Sequence, residues 1–255
     1  MVFWRRRDMS VIMLSDIVIK NSNGHSYAEA SKLKAYAKHG KGHYRVPIVI
    51  ECRRDSDSMT MERVYGYKPL LTSYLRSAEH RQESLEQFHA AGSALADIHA
   101  CSSLDEAWVR ELLGPFCKQP SPGLVLLHGD FGFSNVFVRS GDPLPLVIDP
   151  GPNRVTTLTA VEVGPPIRDL AIMMSCILGR VPFGQVHKII AIPRVDLARA
   201  FFDGYSSVRP VGASLGACLE EGQTVLGKYL VQIRGVPRVL AHVLSKALLQ
   251  RMKRP

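Results

Sequence analysis

The chain has 255 residues and a hydrophobic fraction of 46%, enough for one large domain or two small lobes around a sizeable core. Charged residues make up 22%, too few for a disordered chain, and no repeat or low-complexity tract is present. The net charge of +9 favours anionic partners such as nucleotides, nucleic acid or acidic membrane surfaces, although a solvated basic surface gives the same figure.

Residues 11–20 (VIMLSDIVIK) are rich in β-branched side chains and predict a strand ending on Lys20, followed by a turn cluster over 21–26. Residues 27–39 (YAEASKLKAYAKH) predict a helix, with Gly40 as its stop signal. Residues 44–51 and 59–64 predict two strands joined by the polar hairpin loop 53–58. The composition then changes, and Gly66 and Pro69 suit a linker. A small strand-rich lobe over residues 1–65 and a larger lobe over 66–255 are therefore expected.

In the second part, Leu85, Phe88, Leu95 and Ile98 recur at helical spacing and predict an amphipathic helix over 84–100. A short helix over 104–113 follows and ends in the breaker-rich stretch 118–123. Residues 124–127, 136–138 and 146–148 are short apolar runs with the flanks of small strands. From Arg168 onward the pattern is helical, with breaks near 181–184, 193, 209–216 and 235–237.

The five cysteines are scattered, odd in number and form no C-x-x-C. This argues against a disulfide framework or a zinc site and predicts a cytoplasmic location. The apolar run of residues 11–14 stops at Ser15-Asp16, so no signal peptide is expected, and no run reaches the roughly 18 residues of a spanning helix.

The chemistry concentrates in residues 127–151. His128, Asp130 and Asn135 lie on a loop between two short strands, and Asp149 follows a third, ahead of Pro150-Gly151. A hairpin through Gly141-Asp142-Pro143 would fold the Asn135 strand onto the Asp149 strand and bring these two side chains together. An Asp and an Asn on neighbouring strand ends make a hard-oxygen pair suited to Mg²⁺. Asp130 is then left to accept a proton from an attacking hydroxyl, the division of labour of kinase-type phosphoryl transfer. Gly, Asp and Pro also punctuate ordinary turns, so it is the ordered set that carries weight.

This stretch resembles the aminoglycoside phosphotransferase/choline kinase-like family, which has the protein-kinase-like fold. His128-Gly129-Asp130 and Asn135 match the family's H-G-D-x-x-x-x-N without gaps. Asp149-Pro150-Gly151 resembles its metal-binding D-x-G/D-x-D segment, and Asp169-Leu170-Ala171 its D-[LI]-[AG] helix start, which buttresses the catalytic loop. Residues 94–99 (ALADIH) resemble the helix end that precedes that loop, so the match runs in order over about residues 90–175. The resemblance implies a bilobal α+β protein-kinase-like fold. It implies Asp130 as catalytic base, Asn135 and Asp149 as Mg²⁺ ligands and His128 as a loop-organising residue.

In the same layout Lys20 resembles the phosphate-binding strand lysine, and Glu29 in the next helix its ion-pair partner. Residues 61–64, including Glu62 and Val64, would be the hinge that offers backbone hydrogen bonds to adenine. One departure stands out: kinases cover the phosphates with a glycine-rich turn, and no glycine precedes Gly24. Arg5-Arg6-Arg7 could neutralise phosphate but cannot bring the backbone as close as glycine does, and a solvated terminus is the plainer reading of the triplet.

The expected activity is transfer of the γ-phosphate of ATP or GTP, with Mg²⁺, to a hydroxyl of a small molecule. The alternative is a weakly active or inactive kinase-like binding module. Residues 151–255 hold fourteen Lys and Arg against six acids. Polycationic acceptors need acidic walls, so a neutral or anionic hydroxyl compound is expected. Residues 236–255 predict a basic amphipathic helix packed on the core. Trp4 and Trp108 are too few and too far apart for a base-stacking platform, and nucleic acid is not an expected partner. The histidines outside the HGD stretch show no metal-ligand spacing and read as surface or core residues.

Overall fold

The structure is a computed structural model that describes residues 2–6, 9–22, 24–114, 123–152, 159, 161–179, 191–232 and 250. Strands β1 (Val2–Arg6), β2 (Met9–Met13) and β3 (Ile17–Asn21) run as an antiparallel meander. The strand predicted over residues 11–20 is thus two strands. Ser15-Asp16 has turn chemistry and reverses the chain, and the Leu14 N–H donates to the Ile17 carbonyl at 3.0 Å.

Helix α1 (Ser26–His39) follows, then the hairpin of β4 (Val49–Arg53) and β5 (Ser58–Glu62). The five strands form one sheet in the order β1-β2-β3-β5-β4. Ala30 and Leu33 of α1 pack on Met59 and Met61 of β5, with Val18 and Val49 at the edges, which makes a thin core between helix and sheet. Asp57, in the β4–β5 turn, accepts from the Ser26 N–H at 3.1 Å and so caps α1 in place of His25, whose side chain makes no cap.

The strand predicted to begin at residue 44 begins only at Val49, because Pro47 has no N–H to give a ladder. Its first residues instead join the second part of the chain. Tyr44 lies in the main core, the Arg45 N–H donates to Pro145 O, and the Val147 N–H donates to Arg45 O, each at 2.8 Å.

That second part opens with β6 (Lys68–Pro69) and α2 (Leu70–Arg76), a helix directly after the expected linker in a stretch to which the sequence assigns no element. Next come α3 (Arg81–Cys101), α4 (Ala107–Leu113), β7 (Val125–Leu126), β8 (Val136–Arg139), β9 (Asp142–Val147), β10 (Val163–Gly164), α5 (Ile167–Gly179), α6 (Arg194–Val208) and α7 (Leu215–Gln232). β6, β8 and β9 form a three-stranded sheet, and β7 pairs with β10. The β8–β9 turn is Ser140-Gly141, with Gly141 at φ 74°, a value that favours glycine.

The helices pack in close pairs through missing side chains. A Cβ on Gly92 would lie 1.9 Å from the Phe201 carbonyl oxygen, and one on Gly204 would lie 1.9 Å from that of His89, so α3 and α6 touch backbone to backbone. Gly179 and Gly222 admit Leu226 and Met174 in the same way between α5 and α7. The predicted breaks near 181–184 and 235–237, the helix over 236–255 apart from Gln250, and the residues Arg7 and Cys117 lie outside the described residues. No helix among the described residues is long and apolar enough to cross a membrane.

Candidate active site

Lys20, the fourth residue of β3, is buried, and its ammonium sits between two carboxylates. Nζ lies 2.5 Å from Glu29 Oε2 on α1 and 3.0 Å from Asp149 Oδ1 after β9. Burial alone would push Lys20 down, but the adjacent Asp149 and Glu29 outweigh it and hold the ammonium above its ordinary pKa. The Ser22 hydroxyl also donates to Glu29, at 3.0 Å. Three residues predicted from separate parts of the sequence thus converge on one charge cluster.

Asp149 has φ 52°, one of two non-glycine residues described at positive φ. Such a backbone is strained and persists where the surroundings impose it. The Gly151 N–H closes the turn onto Asp149 O at 2.8 Å. A Cβ on Gly151 would lie 2.7 Å from Glu29 Oε1, so this glycine is required by the seat of Glu29 itself.

The loop between β7 and β8 carries the other predicted residues. Asn135 Nδ2 donates to both the backbone oxygen and Oδ2 of Asp130, each at 2.9 Å. The Ile148 N–H donates to the Asn135 carbonyl at 3.0 Å, so the β8–β9 pairing holds Asn135 beside the chain that leads into Asp149. His128 is fully buried, its ring edge-on to Phe131. Its Nδ1 accepts the Asp130 N–H at 3.3 Å, and burial pulls its pKa down to about 4, so the ring is neutral and shapes the loop.

Beneath this loop lies Asp169, at the start of α5 and without solvent exposure. Its carboxylate receives the N–H groups of His128 at 2.8 Å and Gly129 at 2.9 Å, and His99 Nε2 at 2.9 Å. Gly129 at φ 96° lets two successive N–H groups turn to the same side chain. Burial would raise the Asp169 carboxyl, but the hydrogen bonds from His99 and the Gly129 N–H outweigh it and hold the group below the usual carboxylate value. Burial lowers the His99 pKa, which leaves a neutral ring that donates from Nε2 and accepts the Tyr205 hydroxyl at Nδ1, 2.8 Å away. His99, read from sequence as a surface or core residue, is therefore a core residue that orients Asp169.

One residue of the site was not anticipated. Lys32 of α1 is buried, and its Nζ donates to Leu127 O at 2.7 Å, with His128 O at 3.5 Å. The available signal was its position, three residues after Glu29 on the helix face that also carries Leu33 and Tyr36.

The predicted hinge is only partly open to a ligand. The Glu62 N–H donates to Ile48 O at 2.9 Å, its carboxylate accepts the Ile48 N–H, and the Arg63 N–H donates to Asp16 O. Val64, one residue further, is half-buried and forms no such backbone bond among the described residues.

No three His, Cys, Asp or Glu side chains converge as a metal cluster among the described residues. The donor chemistry nevertheless fits one hard cation. Both side-chain bonds of Asn135 leave through Nδ2, so Oδ1 keeps its acceptor capacity, and Asp149 uses Oδ1 on Lys20 while its side chain stays partly exposed. Mg²⁺ takes one or two protein oxygens and completes its shell with water and phosphate.

No protein-family model and no curated protein matches the sequence. Solved structures do. A glucosamine kinase in complex with glucosamine, ADP and inorganic phosphate superposes with a TM-score of 0.65 at 15% identity, covering 96% of this chain and 79% of that one. A Ralstonia eutropha protein assigned to the aminoglycoside phosphotransferases gives 0.56 at 14% identity, over 98% and 89% of the two chains. A choline/ethanolamine kinase family protein from Mesorhizobium loti gives 0.54 at 13% identity, over 100% and 88%.

Proposed function

We infer the function of this chain from its bilobal α+β fold, that of the small-molecule kinases and phosphotransferases it superposes on, with a strand-rich N-terminal part and a helical C-terminal part. From that premise we propose that it is a Mg²⁺-dependent phosphotransferase that moves the γ-phosphate of ATP or GTP to a hydroxyl of a small molecule. Residues 1–65 would form the nucleotide lobe and 66–255 the catalytic and acceptor lobe. The observation that carries the reading is the Lys20 ammonium held between Glu29 and Asp149, because a merely solvated lysine has no reason to be buried on two carboxylates.

In this reading Lys20 positions the nucleotide phosphates, and Glu29 fixes the direction in which Lys20 points. Val64, whose backbone groups make no bond among the described residues, offers them to the base, whereas the Glu62 N–H is already committed to the sheet. Asn135 Oδ1 and Asp149 would hold Mg²⁺, which would neutralise charge on the phosphates. Asp130, steadied by Asn135 Nδ2, orients the acceptor hydroxyl and takes its proton as the hydroxyl oxygen bonds to phosphorus and the nucleoside diphosphate leaves. His128 keeps the Asp130 N–H turned inward.

The acceptor is proposed to be neutral or anionic. Of the six acids after residue 150, Asp169 is buried under the loop, Glu162 pairs with Arg168 at 2.5 Å, and Asp196 pairs with Arg81 at 2.6 Å. Half of the six are thus committed elsewhere, against fourteen Lys and Arg in the same stretch, which thins the acidic lining that a polycation needs. The described cysteines are all free, which accords with the reducing cytoplasm proposed as its location.

Two measurements test the proposal. Thermal denaturation with ATP or GTP and Mg²⁺ should show stabilisation of about 2.7 kcal/mol at a hundredfold excess over Kd. Asp130→Asn should abolish phosphate transfer across a panel of hydroxyl compounds while leaving the nucleotide shift intact. A wild-type chain that no nucleoside triphosphate stabilises would instead be the non-catalytic binding module. An Asp130→Asn variant that turned over normally would remove Asp130 from the chemistry.

A further inference from the structure

Two peptide groups of the HGD loop are each held from both sides by opposite charges. The peptide joining Leu127 to His128 gives its carbonyl to Lys32 Nζ at 2.7 Å and its N–H to Asp169 at 2.8 Å. The peptide joining His128 to Gly129 has its carbonyl 3.5 Å from the same ammonium and gives its N–H to the same carboxylate at 2.9 Å. A cation at the oxygen end and an anion at the hydrogen end of an amide dipole both favour one orientation, and they do so more strongly where water is excluded. Lys32 and Asp169 have 1% and 0% of their surface exposed.

The two charges come from different parts of the chain. Asp169 belongs to α5 and shares the body of the loop it holds, whereas Lys32 belongs to α1, whose Ala30 and Leu33 pack on the five-stranded sheet while its Tyr36 enters the main core. On that helix Lys32 stands three residues from Glu29, the partner of Lys20 and the neighbour of Gly151. One rigid helix thus carries two buried charges, one aimed at the Lys20–Asp149 cluster and one at the backbone two and three residues before Asp130.

We infer that Lys32 is a positioning residue that makes the seat of α1 a condition for the conformation of the HGD loop, so that Asp130 is placed only when Glu29 is engaged with Lys20. The role assigned to Asp130 rests on the proposed phosphotransferase activity, but the mechanical link between helix and loop does not. A displacement of α1 that breaks the Lys20–Glu29 pair also withdraws the ammonium from the Leu127 and His128 carbonyls. Asp169 would then be left buried with fewer opposing charges, and its grip on the two N–H groups would bear on a loop free to turn. Burial lowers the Lys32 pKa to about 8, so the side chain is an ammonium at neutral pH.

The test is amide hydrogen exchange on the full chain without ligand, wild type against Lys32→Met. The inference expects the His128 and Gly129 amides and those of α1 to exchange at least about tenfold faster, the factor that one lost charge-assisted hydrogen bond produces, with α6 and α7 unchanged. Lys32→Gln keeps a donor for the Leu127 carbonyl without the charge, should give an intermediate acceleration, and serves the same test should the Met variant not fold. In turnover assays Lys32→Met should lower kcat about tenfold or more with the nucleotide KM within about threefold. Unchanged exchange at residues 128 and 129, or acceleration spread evenly over α6 and α7, overturns the inference. Absence of nucleotide binding by the wild type would defeat the phosphotransferase reading and leave the exchange result to decide this one.

Discussion

Asp169→Asn is the sharpest probe of how the HGD loop is held. The substitution keeps shape and volume but replaces one carboxylate oxygen by an NH₂ donor. Oδ2 receives both the His128 N–H and His99 Nε2, and Oδ1 receives the Gly129 N–H. The best Asn rotamer puts its oxygen where Oδ2 was, so its NH₂ opposes the Gly129 N–H in a site with no exposure. The loss comprises one charge-assisted hydrogen bond at about 1.5–3 kcal/mol, a buried donor left facing a donor at about 1–3 kcal/mol, and weakening of the two bonds that remain. A total of about 4 kcal/mol is expected, in the range seen when one partner of a buried charged network is removed. Urea unfolding of both chains at pH 7 measures it. The sign of its pH dependence is fixed as well. The Asp169 carboxyl is held below its unfolded value, so its contribution is fully present above the unfolded pKa of about 3.8 and is lost as the pH falls through the lower folded value. The gap between wild type and Asn variant should therefore close in strong acid. A difference under about 1 kcal/mol at pH 7, or one that persists unchanged after the wild-type carboxyl is protonated, would refute the reasoning.

Two further outcomes are expected. His128 titrates at about 4 when folded against 6.5 ordinarily, so unfolding takes up a proton between those values and stability falls with falling pH by about 3 kcal/mol across that window. Replacing it by Gln should remove that part of the acid slope in urea titrations at a series of pH values, and an unaltered slope would place the ring in water. Gly151→Ala would set a methyl 2.7 Å from Glu29 Oε1 and push that carboxylate off Lys20. Turnover should fall about tenfold or more and the nucleotide-free melting temperature should drop as well, since Lys20 and Glu29 are both buried and a loosened pair leaves their charges uncompensated; an Ala variant with full kcat would speak against the need for the pair.

Most of the fold was legible because the periodicity was strong. The amphipathic pattern around Phe88, Leu95 and Ile98 predicts a helix that the structure extends only slightly, to Arg81–Cys101. Where reading failed, a local signal carried two meanings. Ser15-Asp16 was read as the end of an apolar run, but it is also a turn, and the turn divides one predicted strand into two. Helix α2 begins directly after the linker residue Pro69 and carries no sequence assignment, because proline can stand immediately before a first turn as readily as it can end one. Residues 44–48 look like strand by composition, yet Tyr44 and Arg45 are drawn to the main core and to β9, a choice that depends on partners a hundred residues away.

The site divides along the same line. Asp130, Asn135 and Asp149 could be placed because the chain between them is short and the β8–β9 hairpin fixes their separation; Ile148 bonds back to Asn135 as that hairpin requires. Lys20 and Glu29 needed only nine residues and one turn. Lys32 carries no such signal because it meets Leu127 across 95 residues; His99, expected as a surface or core residue, is a core residue whose partner Asp169 lies 70 residues on. A lysine in a helix rich in lysine carries no sign of burial in its own identity. The sign lies in its phase: the face defined by Glu29, Leu33 and Tyr36 is apolar except for the glutamate, and a second charge on it must find a partner in the interior. Once one buried ion pair is assigned to a helix face, any other ionisable residue three or four positions along it is therefore best read as a second anchor. In this chain the rule leads from Glu29 to Lys32, and through Lys32 to the two peptides that precede Asp130.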